Sequence, residues 1–201
     1  MRSPLLGRHN VSNHLAAAGL CLAAGLDLST IARGLAAMVC VPGRLEKVPW
    51  DGPFSVLVDF AHTDDALQNV LTTLRPLCQG RLIVVFGCGG DRDKTKRPRM
   101  AKVVEALADQ VVVTSDNPRT EDPHQIIRDI TTGLTDPKAR TLHVEPDRRA
   151  AIEWAVEQAR PQDIVLIAGK GHEAYQIIGK EKHPFSDQEV VADCLRRCKT
   201  G

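Results

Sequence analysis

The chain has 201 residues, enough for one α/β domain with a small appendage and too few for a large multidomain enzyme. Hydrophobic residues at 43% and charged residues at 25% exclude a disordered or collagen-like chain, and a net charge of +1 excludes a broad nucleic-acid footprint or a polybasic membrane anchor. No apolar run reaches the roughly 20 residues of a membrane span, and the first seven residues are too short and polar for a signal peptide, so a soluble cytoplasmic protein is expected.

Residues 10–24 are rich in small helix formers, and a second short helix is expected over 29–38. The turn dipeptide Pro42-Gly43 then marks a boundary, after which strands alternate with amphipathic helices. Residues 54–59 read as a strand, followed by a helix with Ala66, Leu67, Val70, Leu71 and Leu74 on one face and Thr63, Asp64 and Asp65 at its start. Residues 82–86 form a continuous apolar strand running into Gly87-Cys-Gly-Gly90, and the next helix turns Met100, Val103, Val104 and Leu107 inward.

Residues 111–113 give a third strand, and Asp122-Pro123 with Gln125 reads as an N-cap, a first-turn proline and a capping-box partner. The helix they open carries Ile126, Ile127, Ile130 and Leu134, and another after Asp147 carries Ala151, Trp154 and Ala155. Residues 164–168 are the last fully apolar strand, residues 175–178 with a 179–182 turn predict a terminal hairpin, and Ser186 with Glu189 caps a closing helix. Strands apolar on both faces imply a Rossmann-like open, mostly parallel α/β sheet covered by helices on each side, with a C-terminal antiparallel hairpin and a short helical leader.

The six cysteines, Cys21, Cys40, Cys78, Cys88, Cys194 and Cys198, lie among aliphatics without zinc spacing and read as buried reduced thiols. Ligands of open parallel sheets bind beyond the carboxyl ends of the strands, and four polar loops follow the apolar runs there. Residues 87–90 do not form a Walker A loop, and Arg92 occupies the third glycine position of a dinucleotide fingerprint; alone, the loop is as well explained by a tight turn as by close approach to a ligand.

Arg92 and Arg119 can each offer a planar fork to a carboxylate and Glu173 can hold an ammonium, which together suit a zwitterionic amino-acid head group, although each alone also fits a solvated salt bridge. Pro118 fixes the relative orientation of Asn117 and Arg119. His62 and His172 lack a neighbouring nucleophile, Asp64, Asp91 and Asp93 are better explained as helix-start residues than as a magnesium cluster, and the 94–97 run Lys-Thr-Lys-Arg reads as a solvated helix entrance. No metal site is expected within the chain.

Taken together, the loops resemble the Mur ligases of peptidoglycan synthesis, in the branch that adds diaminopimelate. The matching stretches are Gly7-Arg-His-Asn10-Val-Ser-Asn13, Val41-Pro-Gly-Arg44-Leu-Glu46, Asp59-Phe-Ala-His62-Thr63, Phe86-Gly-Cys-Gly-Gly-Asp-Arg92-Asp-Lys94, Asp116-Asn-Pro-Arg119-Thr-Glu-Asp-Pro123, Ala168-Gly-Lys-Gly-His-Glu173 and Phe185-Ser-Asp187, in family order. The resemblance implies that Asp116, Asn117, Pro118 and Arg119 recognise meso-diaminopimelate together with Arg92, Gly169 and Glu173, the arginines on carboxylate and Glu173 on the distal ammonium. It places Asn13 near the adenine of ATP, and Arg44, Asp59 and His62 near its ribose and phosphates.

The implied reaction phosphorylates a D-glutamate carboxylate of UDP-N-acetylmuramoyl-dipeptide with ATP and Mg2+, and the diaminopimelate amine then attacks the acyl phosphate. Two residues depart from the family pattern, Asp64 where proline is usual and Thr95 where glycine is usual. The family's UDP-binding domain and Walker A loop are not in the sequence. Residues 1–41 are therefore expected to be the last helices of the central ATPase domain and 42–201 the C-terminal amino-acid-binding domain, without catalysis alone. A stand-alone module that captures a diamino acid or nucleotide without catalysis is the alternative, and a nicotinamide oxidoreductase is disfavoured by Arg92.

Overall fold

The computed structural model describes residues 3–136 and 141–198. Helices α1 (Arg8–Ala23) and α2 (Leu28–Ala37) form the leader, with Asp27 capping α2 by accepting from the Thr30 amide. The main body follows as β1 (Glu46–Lys47), β2 (Ser55–Asp59), α3 (Asp64–Leu74), β3 (Leu82–Phe86), α4 (Lys96–Leu107), β4 (Gln110–Val113), α5 (Pro123–Thr131), β5 (Leu142–Val144), α6 (Arg148–Glu157), β6 (Ile164–Ala168), β7 (Tyr175–Ile178), β8 (Glu181–Pro184) and α7 (Asp187–Cys198).

The six-stranded sheet has the order β1-β2-β6-β3-β4-β5, parallel throughout except for β1 on β2, and β7-β8 is a separate antiparallel hairpin. Side-chain alternation sorts the strands into two cores. Leu82, Val84 and Phe86 of β3 and Leu166 of β6 face α3, α4 and α5, while Ile83, Val85, Val165 and Ile167 face α6 and α7. Because the chain returns after β5 to insert β6 between β2 and β3, the loops after β2, β3, β4 and β6 meet at one edge.

Several expectations are corrected. Two short edge strands, β1 and β5, carry too few residues to show a period in the sequence. Gln125 does not close a capping box: it bonds Asp129 and Arg128, while Asp122 caps α5 through the His124 amide. The hairpin turn is the tighter pair Gly179 and Lys180, with Glu181 and Lys182 already in β8. Only Cys88 and Cys194 are buried; Cys40 and Cys198 are exposed, and Cys21 and Cys78 lie between.

The 94–97 run is a solvated entrance only at its start, where Lys94 and Thr95 are exposed. Arg97 is fully buried against Glu121 and Asp129, Lys94 pairs with Glu121, and Lys96 donates to the His62 carbonyl. Sequence charge alone does not reveal this, because the acceptors are distant in the chain: Glu121 and the His62 carbonyl in other loops and Asp129 on α5. The two departures from the family pattern are locally satisfied: Asp64 pairs with Arg99 at 2.7 Å, and Thr95 has φ −67°, a conformation that needs no glycine, with its amide and hydroxyl on Asp93.

Candidate functional site

The loop after β4 is built on the segment Asp116-Asn117-Pro118-Arg119. Asn117 is buried, and both ends of its amide are committed: Nδ2 donates to Glu173 Oε2 at 3.0 Å, while Oδ1 accepts from Lys170 Nζ at 3.1 Å and the Ile177 amide at 2.9 Å. Arg119, across Pro118, donates its backbone N–H to the Ile177 carbonyl at 3.0 Å, so Asn117 and Arg119 together hold both backbone polar groups of Ile177 in β7. Arg119 holds φ 53°, a left-handed conformation that costs an L-residue about 1–2 kcal/mol. Those backbone bonds hold it there, and its Nη1 reaches the Gly90 carbonyl at 2.8 Å.

The glycine loop serves packing between loops. A Cβ on Gly90 would stand 1.9 Å from the Pro118 carbonyl oxygen, so only glycine lets the two backbones meet, and Gly90 N–H donates to Asn117 O at 2.9 Å. Arg97 reinforces the seam from below, with Nη1 and Nη2 on Glu121, and Glu121 Oε1 accepts the Asp91 amide at 2.6 Å. This network brings Arg92 beside Arg119: both line the space above Gly89. Arg92 is exposed.

The loop after β6 supplies Gly169, Lys170, Gly171, His172 and Glu173. Burial pushes the Glu173 carboxyl up, but hydrogen bonds from Asn117 and Lys170 outweigh it and hold the group below the ordinary range, as an acceptor ready for a cation. Asp116 is different: it is buried, and desolvation raises its pKa against the pull of Arg148 and Lys170. It lies beneath Gly169, whose added Cβ would stand 3.4 Å from Asp116 Oδ2.

Beneath these loops Arg148 and Asp187 form a fully buried bidentate pair, both bonds at 2.8 Å. Burial disfavours the Arg148 charge, and Asp187 more than offsets it. The same guanidinium donates to the carbonyls of Ser115 and Ala168, tying together the ends of β4 and β6 and the start of α7. Sequence reasoning missed Arg148, Asp187 and Lys170 as site residues. The signal for Lys170 was present, a cation between two glycines directly after an apolar strand.

The second group lies around Phe60, after β2. Arg44 stands over its ring at 5.1 Å, His62 meets it edge-on at 4.7 Å, and His172 lies at 5.7 Å. Asp59 is buried and holds the loops in register, accepting the Leu45 amide on Oδ2 and the Ala61 amide on Oδ1, each at 2.7 Å. Asn13 is exposed on α1 and donates to Asn10 Oδ1. Among the described residues no group of three His, Cys, Asp or Glu is placed to hold a metal ion, and a cavity of about 430 Å³ lies between α1 and α2, not at the strand ends.

The family model described as Mur ligase, glutamate ligase domain, matches residues 43–171. The chain belongs to the Mur ligase family. Its match with this family begins at the Pro42-Gly43 turn and ends within the loop after β6. A UDP-N-acetylmuramoyl-L-alanyl-D-glutamate–2,6-diaminopimelate ligase of Parasynechococcus marenigrum is 52% identical over 97% of this chain and 40% of that protein. The same enzyme of a Nostoc species is 54% identical over 96% of this chain and 39% of its own. A solved structure of a ligase with that name superposes with a TM-score of 0.77 at 44% identity, over 99% of this chain and 40% of the other. The chain thus spans about 40% of the length of these Mur ligase relatives. A Mycobacterium tuberculosis folylpolyglutamate synthase solved with ADP and AMPPCP, at TM-score 0.66 and 24% identity, shares the fold.

Proposed function

We propose that this chain is the amino-acid-binding part of an ATP-dependent ligase that adds meso-diaminopimelate to UDP-N-acetylmuramoyl-L-alanyl-D-glutamate in cytoplasmic peptidoglycan synthesis. The observation that carries the reading is the coupling of Asn117 to Glu173, which sets a cation acceptor at a fixed place relative to Arg119. Arg119 and Arg92 bind a carboxylate of the amino acid, Glu173 takes the distal ammonium, and Asp116, Pro118 and Gly169 shape the loops that hold them. The names of the relatives at 52% and 54% identity support the same substrate.

In this reading residues 42–201 form the amino-acid-binding domain and 1–41 belong to the ATP-binding one. Arg44 and His62, gathered on Phe60, face the nucleotide phosphates, Asp59 fixes the loop that carries them, and Asn13 meets the adenine from α1. In this reading the Mg2+ that accompanies ATP is held mainly by the ATP-binding domain. Its chemical task is to present the diaminopimelate amine, oriented and desolvated, to an activated carboxyl group. The chain alone neither hydrolyses ATP nor forms the amide. Calorimetric titration with meso-diaminopimelate and with L-lysine tests this. Saturable binding of the first and at least tenfold weaker binding of the second is expected, since lysine lacks the second carboxylate. Equal affinity for the two would contradict it.

A further inference from the structure

Lys170 is a lysine with no exposed surface, and its surroundings are unbalanced. Its Nζ donates to Asn117 Oδ1 and Glu173 Oε2, both at 3.1 Å, and stands 3.8 Å from Asp116 Oδ1. An ammonium has three donors, and two are engaged. Asp116 Oδ1 is buried and has no hydrogen-bond partner, a costly condition for a carboxylate oxygen. Arg148 is committed to Asp187 by two hydrogen bonds, which leaves Lys170 as the cation standing between Asp116 and Glu173. What is missing is a hydrogen-bond donor for Asp116 Oδ1.

We propose that Lys170 is a positioning residue with two berths: it holds Glu173 in the free site and moves onto Asp116 when the distal ammonium of a diamino acid arrives at Glu173. The inference rests on the reading above that Glu173 accepts that ammonium. The required displacement is under about 1 Å, the difference between the present separation and a hydrogen bond. The move relieves repulsion between two ammonium groups sharing one carboxylate, and it partners the orphaned oxygen of Asp116. An amino acid with a second carboxylate but no distal ammonium supplies no such charge, and Lys170 stays on Glu173. Asp116 thereby contributes to selection for a diamino acid without touching it.

The test compares meso-diaminopimelate with 2-aminopimelate, which lacks the distal ammonium, by calorimetry on the 201-residue chain and its Asp116→Asn variant. The variant is expected to lose about tenfold more affinity for diaminopimelate than for 2-aminopimelate, because only the first needs the second berth. Equal loss for both ligands, or loss for neither, overturns the proposal. The crystal structure of the unmodified chain with meso-diaminopimelate decides independently of how the variant folds. Lys170 Nζ bonded to Asp116 supports the two berths, and Nζ still on Glu173 refutes them. If the unmodified chain binds no diaminopimelate, the functional reading fails and this inference with it. If it binds, and Glu173→Gln weakens binding while Asp116→Asn does not, only the inference fails.

Discussion

Asn117 and Glu173, 56 positions apart in the chain, are joined by a 3.0 Å hydrogen bond between the loops that follow β4 and β6. Asn117 presents its amide hydrogen to the carboxylate and its oxygen to Lys170, so exchanging amide for acid would set two carboxylates against each other. The bond makes the two loops one recognition surface.

That surface stands on the Arg148–Asp187 pair. Arg148→Met would leave a buried aspartate uncompensated, and we expect a loss of about 3–5 kcal/mol in stability, read by urea unfolding. A loss below about 1 kcal/mol would mean that the pair contributes little to holding the strand ends.

Acid should loosen the seam between the glycine loop and the loop after β4. Hydrogen bonding from Arg97 lowers the Glu121 carboxyl from 4.5 to about 2. A depressed carboxylate stabilises the fold above its unfolded pKa and loses that contribution as pH falls through the folded value. Stability should therefore decline from about pH 4.5 towards pH 2, and Glu121→Gln should flatten that slope in urea titrations at graded pH. An unchanged slope in the variant would assign the acid sensitivity to other groups.

Thiol reactivity separates the cysteines by burial. Cys40 and Cys198 are exposed and should react with a thiol reagent in the folded chain, whereas desolvation pushes the Cys88 thiol up to about 12 and should protect it until unfolding. Mass spectrometry of the labelled chain reads this directly, and early labelling of Cys88 would show that its strand end opens.

The parallel sheet was legible because β2, β3, β4 and β6 are apolar on both faces, and the helices because their apolar positions recur at helical spacing. The strand-end loops were legible too, since polar residues cluster directly after those runs. What stayed hidden was the partnering of charge. Arg97, Arg148 and Lys170 look like surface cations in a sequence, and only the fold brings Glu121, Asp187 and Asn117 to them. In the 87–90 loop, Gly90 is required by the Pro118 backbone and Gly87 by the backbone of residues 114–116, neighbours that the sequence does not name. Edge strands β1 and β5 escaped because two or three residues carry no period.

The central claim, that the Asp116-Asn117-Pro118-Arg119 loop recognises diaminopimelate, is tested most directly by calorimetric titration of meso-diaminopimelate into the chain and its Arg119→Ala variant. Losing a charge-assisted carboxylate contact of about 1.5–3 kcal/mol should weaken binding roughly ten- to a hundredfold while the fold persists. Unchanged diaminopimelate affinity in a folded Arg119→Ala variant would contradict the account.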